Sequence, residues 1–246
     1  MNLGDNWTPL TRNLIVGLFV VYVVQLLAGT TVEAALAWQP FGAGFAPWQP
    51  LTAFLLASDP TSAIFGWLGI FFLVAPLERA LGRGALARAV LVSWLGAVLV
   101  GVATGLAVKG SATLGLGDAA FVGLTPLLAA LVALFGWSHP GANILLFFII
   151  PIRAELIAWG TGALSFLWFL VALTRPGYAS PLGSSIALGA WLGALAWSRT
   201  GRGEIRRLQL AWKRRRIERD LRRFEVIDGG RSGSGPRRQR QDETWH

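Results

Sequence analysis

Residues 47–98 read PWQPLTAFLLASDPTSAIFGWLGIFFLVAPLERALGRGALARAVLVSWLGAV and contain two long apolar segments separated by a short basic turn. An α-helix needs about 20 mainly apolar residues to cross the hydrocarbon core of a bilayer, and each segment meets this length. The turn carries Arg79 and Arg83, and such bases accumulate on the cytoplasmic side of membranes. The stretch therefore predicts two membrane-spanning helices joined on one face of a membrane.

The composition of the whole chain also indicates a membrane protein. Of its 246 residues, 54% are hydrophobic and only 14% are charged, which is too apolar for a soluble domain of this length. Cysteine is absent. This excludes disulfides, thiolate metal sites, cysteine nucleophiles and S-palmitoylation.

The length criterion predicts six spans along the chain. They lie at about residues 13–30, 62–80, 85–108, 117–137, 155–174 and 180–199. Residues 31–61 should form an interfacial loop with short helices, in which Trp38 and Trp48 suit the headgroup layer. The run 143–152 is too short to span and contains Pro151, so we expect it at the interface. The predicted fold class is all-α, a six-helix membrane bundle.

Two small-xxx-small pairs predict close helix packing. Gly101 and Gly105 form one pair in the third predicted span, and Gly189 and Gly193 form another in the sixth. Such pairs let helix backbones approach closely within a bundle. Dimerisation between two copies of the chain is the alternative.

The positions of the bases predict the orientation. Under the six-span model one face carries the 15 bases of the tail together with Arg12, Arg79, Arg83, Arg88 and Arg153. The other face carries only Lys109 and Arg175. Because Arg and Lys close to membrane ends favour the cytoplasmic side, both termini should be cytoplasmic. We expect a multi-pass integral protein of a bacterial plasma membrane.

The order of these elements resembles the rhomboid family. Its members show Trp-Gln-x-x-Thr and a Phe before the second helix, then an acid and a Gly before a basic turn. The matching residues here are Trp48, Gln49, Thr52, Phe54, Glu78, Gly82 and Arg83. The resemblance covers about residues 8–198 and implies a rhomboid-like six-helix bundle.

The resemblance also implies catalytic positions, and this chain has other residues at them. Rhomboid proteases use a serine at the start of the fourth helix and a histidine on the sixth, since a serine hydroxyl needs a hydrogen-bonded base to become a nucleophile. The serine position holds Asp118 or Gly117, depending on the register, and the histidine position holds Ile186. Three further family positions, which hold an upstream His and the oxyanion-stabilising His and Asn, map near Leu56, Ser62 and Gly66.

No realignment restores the catalytic base. The chain has two histidines, His139 and His246, and neither lies in a predicted span. This excludes a Ser-His dyad in the membrane. Lys109 could activate Ser111 or Ser62 if it were desolvated, but a lone Lys in an outer loop is usually a solvated charge.

Residues 113–124, TLGLGDAAFVGL, raise a second catalytic alternative. Gly-Leu-Gly-Asp resembles the Gly-x-Gly-Asp motif of presenilin-type aspartyl proteases, which need two carboxylates that share a proton. The second carboxylate belongs to a Tyr-Asp pair, yet Tyr22 and Tyr178 are followed by Val and Ala. We therefore expect Asp118 to be the N-cap of the fourth helix and Asp59 to have a turn or N-cap role.

The tail predicts a basic amphipathic helix at 199–228, because apolar residues recur at three- and four-residue steps among Arg and Lys. Such a helix next to a span commonly lies along anionic lipid. The expected lipid or partner contacts are Trp212, Arg214, Arg215 and Arg216. A solvated helix that fixes the topology is the alternative. Residues 229–246 should be disordered.

The sequence thus predicts a rhomboid-like membrane domain at 1–198 that lacks proteolytic chemistry. We expect a pseudoprotease that binds transmembrane segments or partner membrane proteins, with the lipid bilayer around it and anionic lipid at its tail. No cofactor, metal or nucleic acid is expected. Two alternatives remain, an active intramembrane protease, either rhomboid-type or aspartyl-type around Asp118, and a structural subunit of a membrane complex.

Overall fold

The computed structural model describes residues 8–40, 44–108, 120–146, 150–175, 178 and 180–200, with the backbone alone at 144–146 and 150. The helices in these ranges are α1 (Pro9–Ala28), α2 (Thr30–Leu36), α3 (Gln49–Thr52), α4 (Pro60–Leu81), α5 (Arg83–Val108), α6 (Thr125–Ser138), α7 (Ala154–Thr174) and α8 (Pro181–Thr200). A 3₁₀ turn at Ala53–Leu55 follows α3. Two strands, β1 (Asn143–Leu146) and β2 (Ile150–Arg153), lie between α6 and α7.

Four of the described helices are long and apolar enough to cross a membrane by length and composition, namely α1, α4, α5 and α7. They match the first, second, third and fifth predicted spans. The described part of α6 is apolar but only 14 residues long. Helix α8 has 20 residues but falls outside the four, since its serines and glycines make it less apolar. The chain is therefore a mostly helical, multi-pass membrane protein.

Helix α6 begins later than the sequence suggested. The predicted fourth span was 117–137 with Asp118 as its N-cap, but the N-cap of α6 is Leu124, which makes no side-chain cap bond. Gly123 has a φ of 135°, outside the right-handed helical region. Pro126 lies in the first helical turn, where a missing N–H is tolerated. The expectation that Asp118 caps this helix is wrong, and Asp118 itself lies outside the described residues.

A β-hairpin departs from the predicted all-α class. Strands β1 and β2 pair in antiparallel fashion, with Asn143 opposite Arg153. Pro151 lies within β2, which it can do because a two-stranded hairpin consists only of edge strands. The sequence predicts only an interfacial position for this run, since short apolar segments do not separate strand from helix by their period.

Helices α5 and α8 form the closest packing in the described bundle, and glycines allow it. A methyl group at Gly96 would lie 2.5 Å from the carbonyl oxygen of Gly189, and one at Gly193 would lie 2.6 Å from that of Val92. One at Gly101 would likewise collide with neighbouring side chains. The helices run antiparallel with backbone in direct contact. The predicted close packing within one chain is confirmed at Gly101, Gly189 and Gly193, and Gly96 joins them.

Helix α6 lies at the centre of the bundle and packs on α4, α5, α7 and α8. Gly66 and Gly69 of α4 face Leu124 and Leu128, so α4 and α6 run in the same direction. Gly136 packs directly on the first turn of α7. This position explains why half of the α6 residues, including Leu131 and Leu134, are buried.

Charged residues of the described helices separate to the two ends of the bundle. The end that we call the basic end carries Arg12, Arg79, Arg83, Arg88, Arg153 and Arg199, with Glu78 and Glu155. The opposite end carries Arg175, with Glu33 and Asp59. The bases therefore cluster where α1, α5 and α7 begin.

Candidate functional site

The Trp-Gln-x-x-Thr residues hold the loop between α1 and α4 in place. Gln49 is only 1% exposed, and its side-chain oxygen accepts a hydrogen bond from the backbone amide of Gln39 at 3.3 Å. Side-chain donors of Trp48, Gln49 and Thr52 bind the carbonyls of Ala35, Gly44 and Leu36 at 3.1, 2.7 and 2.9 Å. The motif therefore fixes the segment before α3.

The same loop joins the segment that leads into α6. Trp38 and Phe121 exchange two backbone hydrogen bonds of 3.0 and 2.9 Å, and the amide of Gly123 donates to Ala53 at 3.1 Å. The rings of Phe54 and Phe121 meet edge to face. Trp38 is 1% exposed, so its expected place in the headgroup layer is wrong. It packs inside the bundle because its backbone pairs with Phe121.

The position that the rhomboid resemblance assigns to a histidine lies among apolar side chains. Ile186 is fully buried, and a methyl group at Gly101 would touch both Ile186 and the Trp38 ring. Leu56 is also fully buried, and Gly66 packs on a leucine of the α6 N-terminus. These positions hold no group that could take up or donate a proton.

Ser62, another position that the resemblance singles out, forms a helix cap with Asp59. Asp59 Oδ1 accepts from the Ser62 amide at 2.8 Å, and Ser62 Oγ accepts from the Asp59 amide at 3.2 Å. This hydrogen bond from the backbone lowers the pKa of the Asp59 carboxyl below its usual value. The two residues form a capping box at the start of α4, which confirms the predicted cap role of Asp59.

His139 lies far from the Ile186 position. It follows α6 at the basic end, where its ring stacks on Phe135 at 4.8 Å, whereas Ile186 lies near the start of α8 at the opposite end. Within the described ranges no group of three or more His, Asp or Glu side chains could hold a metal ion. The remaining predicted site residues lie outside the described residues, namely Lys109, Ser111, Gly117, Asp118, Trp212, Arg214, Arg215 and Arg216.

A shallow apolar surface runs along α6 between α4 and α7. These two helices both pack on α6 but hardly touch each other. Leu128, Val132 and Phe135 follow each other at steps of four and three residues and therefore share one face of α6. All three side chains are only half-buried.

Exposed aromatic side chains of α4 border this surface. Phe65 and Phe72 are 65% and 46% exposed, and they lie four residues before and three residues after Gly69. Since Gly69 faces Leu128, the two rings lie on the side of α4 next to the half-buried face of α6. We call the surface formed by Phe65, Phe72, Leu128, Val132 and Phe135 the α6 furrow.

A deeper groove opens between α4 and α5 and has a volume of about 520 Å³. We call it the α4/α5 groove. Its walls are apolar except at Arg83, Ser93 and Trp94. Ser93 Oγ donates to the Ala89 carbonyl at 2.8 Å, and Trp94 Nε1 donates to the Pro50 carbonyl at 2.9 Å. Arg83 therefore provides the polar character of this groove.

No protein-family model and no curated protein sequence matches the chain. The geometry above defines a class, a multi-pass helical membrane protein with two apolar surfaces that open between its helices.

Sequence reasoning missed two residues that hold the loop between α1 and α4 by hydrogen bonds. Gln25 of α1 is buried and hydrogen-bonds the backbone of Ala57. Trp94 of α5 ties the groove wall to α3 through Pro50. A lone amide in an apolar helix is a detectable signal for Gln25, since such a group is expensive in a membrane unless it is paired. The sequence carried no such signal for Trp94.

Proposed function

We propose that this protein is a rhomboid-like pseudoprotease that binds transmembrane segments of partner membrane proteins in the α6 furrow. The observation that carries the proposal is the furrow itself, an apolar stripe of α6 left open between α4 and α7. The buried isoleucine at position 186 and the absence of a histidine from every predicted span support the non-proteolytic part.

The shape of the furrow suits a helix. Lipid tails are as apolar as leucine, so helices associate in membranes through close packing rather than through hydrophobicity. Phe65 and Phe72 are exposed on the side of α4 that flanks Leu128, which gives a lateral wall against which a helix can pack. A flat helix face exposed to lipid would lack such a wall.

We further propose that the basic end faces the cytoplasm of a bacterial cell, with both termini on that side. The described part of the basic end has six Arg and two acids, and the opposite end has one Arg and two acids. This asymmetry agrees with the cytoplasmic preference of Arg and Lys. The tail residues 199–228 would then lie along anionic lipid of the inner leaflet.

Crosslinking in liposomes tests the client proposal. A photoreactive residue at Val132 should crosslink a labelled model transmembrane peptide, and unlabelled peptide should compete. The same residue at Leu99, which is 69% exposed on α5, is the control for random encounters in the bilayer. A Phe65→Ala, Phe72→Ala variant should lose the Val132 crosslink.

Two outcomes would favour the alternatives. Peptide cleavage by the wild type that Asp118→Asn abolishes would indicate an active protease. Equal crosslinking from positions 132 and 99, with stable co-purification in a larger complex in mild detergent, would favour a structural subunit.

A further inference from the structure

The α4/α5 groove has one open side and one charged end. Leu51, Leu55 and Leu91 line it and are 61%, 41% and 53% exposed, so the groove is reached sideways from outside the bundle. Ile70 of α4 and Leu131 of α6 are fully buried and form its inner wall. A ligand that enters from the bilayer therefore meets hydrocarbon along the whole length of the groove.

Arg83 marks the charged end. It is the first residue of α5 at the basic end and is 63% exposed, while its Nε donates to Glu78 Oε1 at 2.6 Å. Glu78 is only 8% exposed and holds the guanidinium from one side. A guanidinium group has five N–H donors. One hydrogen bond to Glu78 therefore leaves further donors for a second anion.

We propose that the α4/α5 groove binds one acyl chain of an anionic phospholipid, with the lipid phosphate against Arg83. The apolar walls match the chain, and the guanidinium matches the phosphate. The Ser93 hydroxyl and the Trp94 indole N–H already donate to backbone carbonyls, so neither needs a hydrogen-bond partner on the ligand. This ligand is distinct from the transmembrane segment proposed for the α6 furrow.

The charged end favours a phospholipid over a transmembrane helix. Arg83 lines the groove together with apolar side chains, and a phospholipid carries both an acyl chain and a phosphate. A transmembrane segment is mainly apolar along its length and brings no anion to Arg83.

Native mass spectrometry of the full chain in mild detergent tests the proposal. The wild type, titrated with phosphatidylglycerol and phosphatidylcholine of identical chains, should bind one phosphatidylglycerol about tenfold more tightly, as expected for a charge-assisted contact. Arg83→Gln should abolish this preference, and Arg83→Lys should keep most of it. Arg153→Gln removes an exposed charge from the same end and should leave the preference unchanged.

A second pair of variants tests the groove without altering its charge. Ala87 lines the groove and Ala103 lies exposed on the same helix outside it. Ala87→Phe should fill the groove and lower retention of both lipids severalfold, whereas Ala103→Phe should not. Equal binding of the two lipids by the wild type would overturn the proposal, as would equal retention by these two variants. Displacement of the bound phosphatidylglycerol by a model transmembrane peptide would also overturn it.

Discussion

Gln25 and Ala57 are joined by two hydrogen bonds across 32 residues of chain. Gln25 Nε2 donates to the Ala57 carbonyl at 2.8 Å, and Oε1 accepts from the Ala57 amide at 3.1 Å. Both residues are buried. Backbone groups that leave water need partners, and the side-chain amide supplies both of them here. The contact fixes the end of the loop to α1, and a further bond from Nε2 to Glu33 at 3.0 Å orients the amide.

Replacing Gln25 by Leu should destabilise the protein. The Ala57 amide and carbonyl would stay buried without partners, which we expect to lower the free energy of unfolding by about 1–3 kcal/mol. Unfolding in detergent micelles by increasing denaturant measures the change. Leu27→Ala is the control on the same helix, because Leu27 is 83% exposed. Equal effects of the two changes would show that the amide contributes nothing.

Adding one methyl group at the contact between α5 and α8 should also destabilise the protein. Gly96→Ala would place its methyl 2.5 Å from the Gly189 carbonyl oxygen, so the helices must separate. Overpacking of this kind usually destabilises by about 1–3 kcal/mol. Gly160→Ala in α7 is the matched control, since nothing lies within 4 Å of its added methyl. Thermal unfolding of both variants should show a loss only for Gly96→Ala.

Asp59 should make the stability depend on pH. Its pKa in the folded protein lies below the ordinary value of 3.8 because the Ser62 amide donates to the carboxylate. A lowered folded-state pKa means that the cap stabilises the protein fully above the ordinary value and loses this stabilisation as the pH falls through the lowered one. Asn caps helices without titrating at these pH values.

The comparison of wild type with Asp59→Asn isolates this effect. Between neutral pH and a pH below 3.8, the wild type should lose more stability than the variant. The other acids titrate in both proteins, so their contributions cancel. Parallel stability curves for the two proteins would contradict the prediction.

The sequence predicts the long apolar helices well because each depends on a local property. Helices α1, α4, α5 and α7 are runs of about 20 apolar residues, and the Asp59 cap lies beside a helix-starting proline. These features need no knowledge of distant residues. Their predicted bounds differ from the observed ones by a few residues at most.

The wrong predictions concern features that depend on contacts between residues far apart in the sequence. Trp38 looks interfacial by composition, but its backbone pairs with Phe121, which lies 83 positions further along the chain. The same pairing places Phe121 in a β-bridge, so α6 starts later than its apolar run suggests. The α4/α5 groove arises between helices and has no local signature. Neither surface that we propose to bind a ligand could have been located from the sequence.

Introducing the serine and histidine that the rhomboid resemblance implies should not produce a protease. Ile186→His would place an imidazole in a fully buried site against Trp38 and Gly101, and the apolar Leu56 and Gly66 positions would still lack side chains that stabilise an oxyanion. We therefore expect Asp118→Ser combined with Ile186→His to leave a transmembrane substrate intact. Mass spectrometry of the substrate after prolonged incubation in liposomes measures this.

The wild type should leave the same substrate intact, and its Asp118→Asn variant should behave identically. Ile186→Leu preserves the apolar packing and is the control for folding, whereas Ile186→His should lower the free energy of unfolding by about 1–3 kcal/mol, because a polar ring replaces a fully buried apolar side chain. Cleavage by the wild type that Asp118→Asn stops without loss of fold would make the carboxylate a catalyst. In that case the protein would be a protease whose chemistry differs from the serine dyad.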